Sequence, residues 1–352
     1  MKKIIIFSTA PSSEMGGIST AVNLLTAELN KQGLSTTNIT THSPKNGKIK
    51  NTFLFISAIF SLFCIRYNEI TNKLPASQAY VHIGPKGSLI RKLILVHLAK
   101  TLGTKVYSHY HSATFENYLR SDGYWKKALL SICKRSDKNI VLSNWWFNFF
   151  SNHEVTNLAI VPNFVETTPI IKEPKQSHST EKKIFSISRL VQEKNIQLVI
   201  EATALLPTNY SLRIAGDGPY RSELEKLSQD LNVGHRIEFI GWVNKEQKST
   251  LYLNSDVLAV PSSHDSFGLV FIESLSFGCP VVIGPNPAVK AALNDLPGVY
   301  EAQKYSAQEI ADSIITATTS DLQSKMLSSA CQEKYGADAI SAVLKNVFSP
   351  DE

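Results

Sequence analysis

Apolar positions along the 352-residue chain follow two rhythms. Short runs rich in β-branched residues read as buried strands, and longer stretches with apolar residues three or four apart read as amphipathic helices. Lys3–Ser8 (KIIIFS) is a first strand, followed by a glycine-bearing loop and a helix from about Ile18 to Gln32. Gly33 suits the position just past that helix, where a left-handed conformation is common. Ala79–Ile83, Lys105–Tyr110 and Asn139–Leu142 are further strands. Thr167–Lys183 (TTPIIKEPKQSHSTEKK) then breaks the rhythm with two prolines and no period, as an interdomain linker would. The pattern restarts with a strand at Lys183–Ser188, a helix at Asn195–Leu206, a strand at Tyr210–Ala215 and a helix at Tyr220–Leu231. Arg236–Ile240, Val257–Val260 and Pro280–Ile283 add strands. Strands alternating with helices predict an α/β fold of parallel sheets, two doubly wound halves around a crevice. The expected division is 1–166, a linker at 167–182, a second domain at 183–335, and a C-terminal helix over 336–352 packing back on the first domain.

Length implies about two domains, and 43% hydrophobic with 19% charged residues fits an ordinary globular protein. The net charge of +6 hides an asymmetry. Residues 1–165 carry 19 Lys+Arg against 7 Asp+Glu, net +12, and the remainder carries 17 against 23, net −6. Only the first half is suited to meeting a polyanion or an anionic membrane. The four cysteines show no CxxC spacing, which points to neither a zinc site nor a disulfide framework and suits a reducing cytoplasm. Ile4–Phe7 is too short for a signal peptide. Phe53–Ile65, the most apolar stretch, is thirteen residues long, too few to span a bilayer, and no transmembrane helix is expected. Lys45, Lys48 and Lys50 precede it; Lys126, Lys127, Lys134 and Arg135 precede a second apolar run, Trp145–Phe150 (WWFNFF). Two readings fit both runs: core helices with solvated neighbours, or contacts with the surface of an anionic membrane.

Pro261–Val282 (PSSHDSFGLVFIESLSFGCPVV) is the segment richest in chemistry. A strand ending at Val260, a polar loop and a helix opening near Ser266 and closing at Gly278 would aim the amides of Phe267, Gly268 and Leu269 at the carboxyl edge of the sheet. Such amides and the helix dipole bind phosphate. Asp265 and Glu273, eight residues apart, would then address opposite ends of one elongated ligand; alternatively they are an N-cap and one solvated helical acid. Ser188–Asn195 (SRLVQEKN) puts Arg189 and Lys194 at a strand-to-helix turn of the same half, either as surface charges or as compensation for a departing diphosphate.

These segments resemble glycosyltransferase family four, the retaining nucleotide-sugar transferases of GT-B fold. The family signature has the form E-x-F-G-x-x-x-x-E, and here it reads DSFGLVFIE, with Asp265 in place of the first glutamate. SRLVQEKN, AGDGPYRSELE (215–225), FIGWV (239–243) and VPN (161–163) follow in the family's order. The resemblance implies two Rossmann-like domains facing across a cleft. It gives Glu273 the ribose diol, Asp265 with the backbone of Phe267, Gly268 and Leu269 the donor sugar and phosphates, and Arg189 with Lys194 the diphosphate. The base would rest near Gly241, Trp242 and Val243, and Gly216–Gly218 is a tight turn beside the site. In the first half, Gly16 and Gly17 resemble the glycine pair that approaches the β-phosphate, and His111, rather than His109, fits the place of a histidine reaching the donor sugar. A structural histidine is the other reading of His111. Ser143–Trp145 either lines the acceptor side or starts a helix.

The implied reaction transfers a hexosyl unit from a nucleoside diphosphate sugar, UDP favoured over GDP, to a hydroxyl with retention. It needs neither a metal nor a cofactor. The basic first half and its apolar runs add an acceptor expectation: a lipid-linked glycan of a surface polysaccharide such as O-antigen or capsule, met at the inner face of the cytoplasmic membrane. A non-catalytic nucleotide-sugar-binding or scaffold protein is the alternative that Asp265 leaves open. A dinucleotide-dependent oxidoreductase is disfavoured, because the first loop reads APSSEMGG without G-x-G-x-x-G. No nucleic-acid module is recognisable.

Overall fold

A computed structural model describes residues 3–10, 17–43, 45–166 and 180–348. Most of the segment read as a linker, and the loop carrying Gly16, lie outside the described residues. The chain forms two compact units, Met1–Phe164 with Ile340–Glu352, and Val165–Ala339.

The first unit is built on six parallel strands, β1 (Lys3–Thr9), β2 (Ser35–His42), β3 (Gln78–Ile83), β4 (Lys105–Tyr110), β5 (Lys138–Val141) and β6 (Leu158–Ile160), in the order β2-β1-β3-β4-β5-β6. Its helices are α1 (Gly17–Lys31), α2 (Lys48–Thr71), α3 (Gly87–Thr101), α4 (Thr114–Arg120), α5 (Tyr124–Arg135) and α6 (Asn144–Ser151). Strands covered on both faces read as unbroken apolar runs. Ile4–Phe7 of β1 is accordingly buried throughout, as is every residue of β3. The edge strand β2, STTNITTH, carries no such run, and sequence periodicity misses it.

The second unit repeats the architecture with β7 (Lys182–Ile187), β8 (Tyr210–Ala215), β9 (Ile237–Gly241), β10 (Val257–Val260), β11 (Val281–Ile283) and β12 (Val299–Glu301), ordered β12-β11-β10-β7-β8-β9. Around it lie α7 (Ile196–Leu205), α8 (Arg221–Asp230), α9 (Lys245–Leu253), α10 (Leu269–Ser276), α11 (Pro287–Leu293), α12 (Ala307–Thr319) and α13 (Ser324–Tyr335). The last helix, α14 (Ala337–Phe348), enters the first unit at Ile340. There Phe348 packs on Tyr80 at 5.5 Å between ring centroids, and Gln32 donates to Ser341 Oγ at 2.8 Å. Each sheet reverses its strand order once, between β1 and β3 in the first unit and between β7 and β10 in the second. The carboxyl ends of strands at such a reversal form the usual ligand crevice of open α/β sheets.

The two apolar runs have different fates. Phe53–Ile65 sits inside the 24-residue α2, which by length and composition is long enough to cross a bilayer, a correction to the thirteen-residue estimate. Polar turns extend the helix at both ends, the C-terminal one held by a buried Arg66–Glu69 ion pair at 2.5 Å. Ala58, Leu62, Arg66 and Glu69 face inward and α2 packs on β2, so one face of the helix is committed to the domain. The opposite face is open, with Ile49, Phe53 and Phe60 exposed by 75, 67 and 68% and Ile56, Phe63 and Tyr67 continuing the stripe. In α6, by contrast, Trp146 and Phe150 are buried and Phe150 packs against Tyr110 at 5.0 Å between ring centroids, so one face of WWFNFF is core. Ser143 stands at the N-cap position of α6, but its buried hydroxyl makes no capping bond.

In the second unit the loop after β7 is pressed against the loop after β8. Ser188 and Leu190 donate backbone hydrogen bonds to Ala215 and Asp217 at 3.2 and 2.9 Å. A β-carbon at Gly216, whose φ is +113°, would strike the Ser188 carbonyl, and one at Gly218 would strike that of Leu190. Gly218→Ala is therefore expected to cost about 1–3 kcal/mol, the range for overpacking. Denaturant unfolding monitored for the second unit checks this, and an unchanged midpoint would mean that the two loops do not touch in solution.

Candidate active site

The reversal between β7 and β10 brings the loops that follow them together. After β7 comes a turn at Gln192–Lys194, and Asn195, in the left-handed region at φ +54°, starts α7. Its side-chain amide donates to the Pro261 carbonyl at 2.9 Å, and the Ser263 amide donates to the Glu193 carbonyl at 2.9 Å. Between these two ties, Lys194 Nζ meets Asp265 Oδ2 at 2.8 Å, each side chain 22% exposed. An ammonium has three donors, so this bond leaves Lys194 able to bind a further anion.

Asp265 does more than pair. Its Oδ1 accepts the amides of Gly268 at 3.0 Å and Phe267 at 3.3 Å, while Asn286 donates to its carbonyl at 3.2 Å. Burial alone would raise the pKa of this carboxyl. The Lys194 ammonium and the two amides outweigh burial and hold it below the usual carboxylate range. Two expectations are corrected here. The helix begins at Leu269, not near Ser266, because Gly268 takes a left-handed conformation (φ +83°, ψ 57°) that breaks the helical path. The Phe267 and Gly268 amides consequently bind Asp265 and do not stand open, and the helical spacing assumed between Asp265 and Glu273 does not apply. A β-carbon at Gly268 would also run into the ring of Phe271.

Glu273 lies on α10 in a separate knot. Its Oε1 accepts from Lys248 Nζ at 2.7 Å and its Oε2 from the Tyr252 hydroxyl at 3.0 Å. Lys248 and Tyr252 are four residues apart on one face of α9, a helix fixed at its start by a reciprocal capping box between Asn244 and Gln247. Sequence reasoning missed both, although their i, i+4 spacing was visible. A carboxylate offers about four lone-pair positions, so Glu273 keeps two for a ligand. Gly241 ends β9, and Trp242 and Val243 lead on to Asn244, the N-cap of α9; the Gly241 carbonyl accepts from the Gly216 amide at 2.7 Å and Trp242 is 48% exposed. Arg189, on the loop after β7, is exposed and has no ion-pair partner among the described residues. The structure thus joins Lys194 to Asp265 directly, holds Glu273 through α9, and leaves Arg189 exposed on the same loop as Lys194.

In the first unit Gly17 opens α1. His111 is buried beside a histidine that the sequence did not single out: His82 Nδ1 and His111 Nε2 are 2.8 Å apart. The parallel register of β3 and β4 pairs His82 with His109, whose Nδ1 meets the Tyr80 hydroxyl at 2.8 Å. Desolvation pushes all three imidazoles down, His111 to about 3. They are therefore neutral at physiological pH.

Two parallel six-stranded sheets of this topology, each flanked by helices, define the GT-B fold. Residues 167–334 match the family described as Glycosyl transferases group 1. The match falls on the second unit and spans just under half of the chain. The chain is 24% identical over 391 aligned positions to alpha-monoglucosyldiacylglycerol synthase of Streptococcus pneumoniae, covering 99% of this chain and 88% of the relative. The fold matches sucrose-phosphate synthase of Thermosynechococcus elongatus with a TM-score of 0.80 at 17% identity, over 99% of this chain and 98% of that one. It also matches Anabaena HepE, solved with UDP and glucose, with a TM-score of 0.73 at 15% identity over 99% and 100% of the two chains.

The neutral histidines give a pH test. Their folded-state pKa values lie below the ordinary 6.5, so the unfolded chain binds more protons as pH falls. Their contribution is intact above about pH 6.5 and is lost toward pH 3, by the order of 1 kcal/mol per histidine per pH unit. Denaturant melts of the first unit at pH 7.5, 6.5 and 5.5 should show a steep decline over the lower interval. Equal stability at all three values would place these rings in water.

Proposed function

We propose that this chain is a glycosyltransferase that moves a hexosyl unit from a UDP-sugar to a hydroxyl of a lipid-linked glycan, with retention and with no metal at the diphosphate. The observation that carries the reading is the Lys194–Asp265 pair at the strand reversal, with the exposed Arg189 on the same loop. Two cations there supply what a departing nucleoside diphosphate needs: charge compensation as the bond from the anomeric carbon to the β-phosphate oxygen breaks. Glu273, oriented by Lys248 and Tyr252, accepts the ribose hydroxyls, and Trp242 offers an exposed ring for the base. The acceptor oxygen bonds to the anomeric carbon on the face the phosphate leaves, and its proton passes to that phosphate. His111, a neutral imidazole, hydrogen-bonds the donor sugar. UDP is favoured because HepE was solved with UDP and glucose.

For the acceptor, the pneumococcal relative is named for a glucosylated diacylglycerol, a lipid. The open face of α2 gives the chain a means to approach one. Between Asn51 and Ile65 that helix has no charged residue, and Lys45, Lys48 and Lys50 stand exposed at its start. An apolar stripe led by lysines suits the interface of an anionic leaflet. We place the enzyme on the inner face of the cytoplasmic membrane, in assembly of a surface polysaccharide.

Glu273→Gln keeps the side-chain shape and removes its charge. Calorimetry should show UDP binding weakened by about 1.5–3 kcal/mol, roughly 10- to 100-fold, with unfolding unchanged enough to exclude collapse. Wild-type affinity in this variant would take Glu273 out of the nucleotide site. Flotation with vesicles addresses the membrane. The full chain should rise with anionic vesicles and much less with neutral ones, and a Phe53→Ser, Phe60→Ser, Tyr67→Ser variant should stay behind. Equal binding to both compositions, or none to either, would count against membrane docking.

A further inference from the structure

The first sheet has its own reversal of strand order, between β1 and β3, and the side chains gathered on its outer side are cationic. Thr41 and His42 end β2, and the register sets His42 beside Thr9 at the end of β1. Lys92, in the second turn of α3, reaches the same edge. Its Nζ donates to Thr41 Oγ1 at 2.7 Å, and that hydroxyl donates to the Ser8 carbonyl at 2.9 Å. Arg91 precedes Lys92 on the helix. Burial, and after it the Arg91 guanidinium, hold Lys92 well below its ordinary pKa; burial, Arg91 and Lys92 together lower that of His42. The three groups therefore stand close enough to repel one another.

Nothing among the described residues balances them. No ion pair there reaches Arg91 or Lys92, and no carboxylate bears on any of the three. Arg91 Nε is buried without a hydrogen-bond partner. Like charges in surroundings of low polarity repel strongly, and an anion placed among them turns repulsion into attraction. The donors for one are present. An ammonium with one donor on Thr41 has two left, and a guanidinium meets a phosphate with two parallel donors. Arg91 and His42 are half-buried and form the open side; Lys92, 1% exposed, forms the floor. A carboxylate carries a single charge, whereas a phosphate monoester carries about two with three terminal oxygens, enough to engage all three groups.

The neighbourhood indicates what the phosphate is attached to. Asn51, in the first turn of α2, binds the amide and the carbonyl of Ser43 at 2.8 and 3.1 Å. The residue after His42 is thereby tied to the helix that carries the exposed stripe of Phe53, Ile56 and Phe60. A phosphate held at His42 lies at the root of that helix, where the charged group of a lipid meets its tail. We propose that His42, Arg91 and Lys92 hold the phosphate of a lipid phosphate ester, the group that joins lipid to glycan in the acceptor. Its role as acceptor rests on the sugar-transfer reading; the site itself uses only groups of the first unit.

Calorimetry of the full chain with farnesyl phosphate, and with farnesol as its uncharged counterpart, reads the site directly. One equivalent of the phosphate should bind, about ten-fold or more tighter than farnesol. Arg91→Gln and Lys92→Met should each weaken it by about 10- to 100-fold, the loss expected for a hydrogen bond to a charged group. Melting curves show whether Lys92→Met, a change in the core, still folds; where it does not, Arg91→Gln, on a half-buried side chain, decides. Flotation separates the acceptor's phosphate from a bilayer headgroup, because Arg91→Gln should rise with phosphatidylglycerol vesicles as the wild type does. UDP titration of the same protein reports the sugar-transfer reading by itself, so either can fail alone. Equal affinity for farnesyl phosphate and farnesol, or unchanged affinity in folded Arg91→Gln, would overturn the proposal. Loss of flotation in Arg91→Gln would overturn it as well, by giving these cations to the membrane surface.

Discussion

The second unit depends on one ion pair placed at a reversal of strand order. Lys194 belongs to the loop after β7 and Asp265 to the loop after β10, and these neighbouring strands mark where the winding changes direction. Without a tie, two such loops would leave a wide crevice. The salt bridge, with Asn195 on Pro261 and Ser263 on Glu193, narrows it to a defined shape. The same carboxylate then turns the chain into α10 by gathering the amides of Phe267 and Gly268. One acid thereby fixes the position of the cation, the start of the helix and the direction in which Glu273 projects. Its pKa stays low only because the cation and the amides outweigh burial, so the geometry and the ionisation hold each other in place.

That coupling changes the meaning of an aspartate where the family signature has glutamate. The sequence invites the view that a shortened side chain loses reach toward the donor sugar. In the structure the short side chain is what allows Asp265 to cap its own loop, because its Oδ1 accepts the amides two and three residues on while Oδ2 pairs with Lys194. The carboxylate occupies the place an incoming anion would otherwise take among those amides. Arg189, on the same loop as Lys194, is exposed and has no ion-pair partner among the described residues.

Legibility in the sequence followed burial. Strands covered on both faces, such as β1, β3 and β10, were plain because apolar residues dominate them; β2, a polar edge, and β12, three residues long, were not. Type and order singled out Arg189, Lys194, Asp265 and Glu273, but not the partners of Glu273. Lys248 and Tyr252 reach Glu273 from another helix, and no local pattern links positions 21 and 25 residues apart. The helix start was misjudged for a single torsion: Gly268 at φ +83° moves it by three residues, and composition cannot announce which glycine uses its freedom.

The same limit explains the histidines. In linear order His82 is 27 residues from His109, so no local pattern links them. Parallel pairing of β3 and β4 removes that separation by laying the two side by side. A parallel sheet reaches its partner strand only through a crossover, and the intervening α3 supplies it. Clusters of this kind are created by topology. Tyr80, itself packed in the core, aims the ring of His109, and Asn163 lines the small cavity beside the three imidazoles.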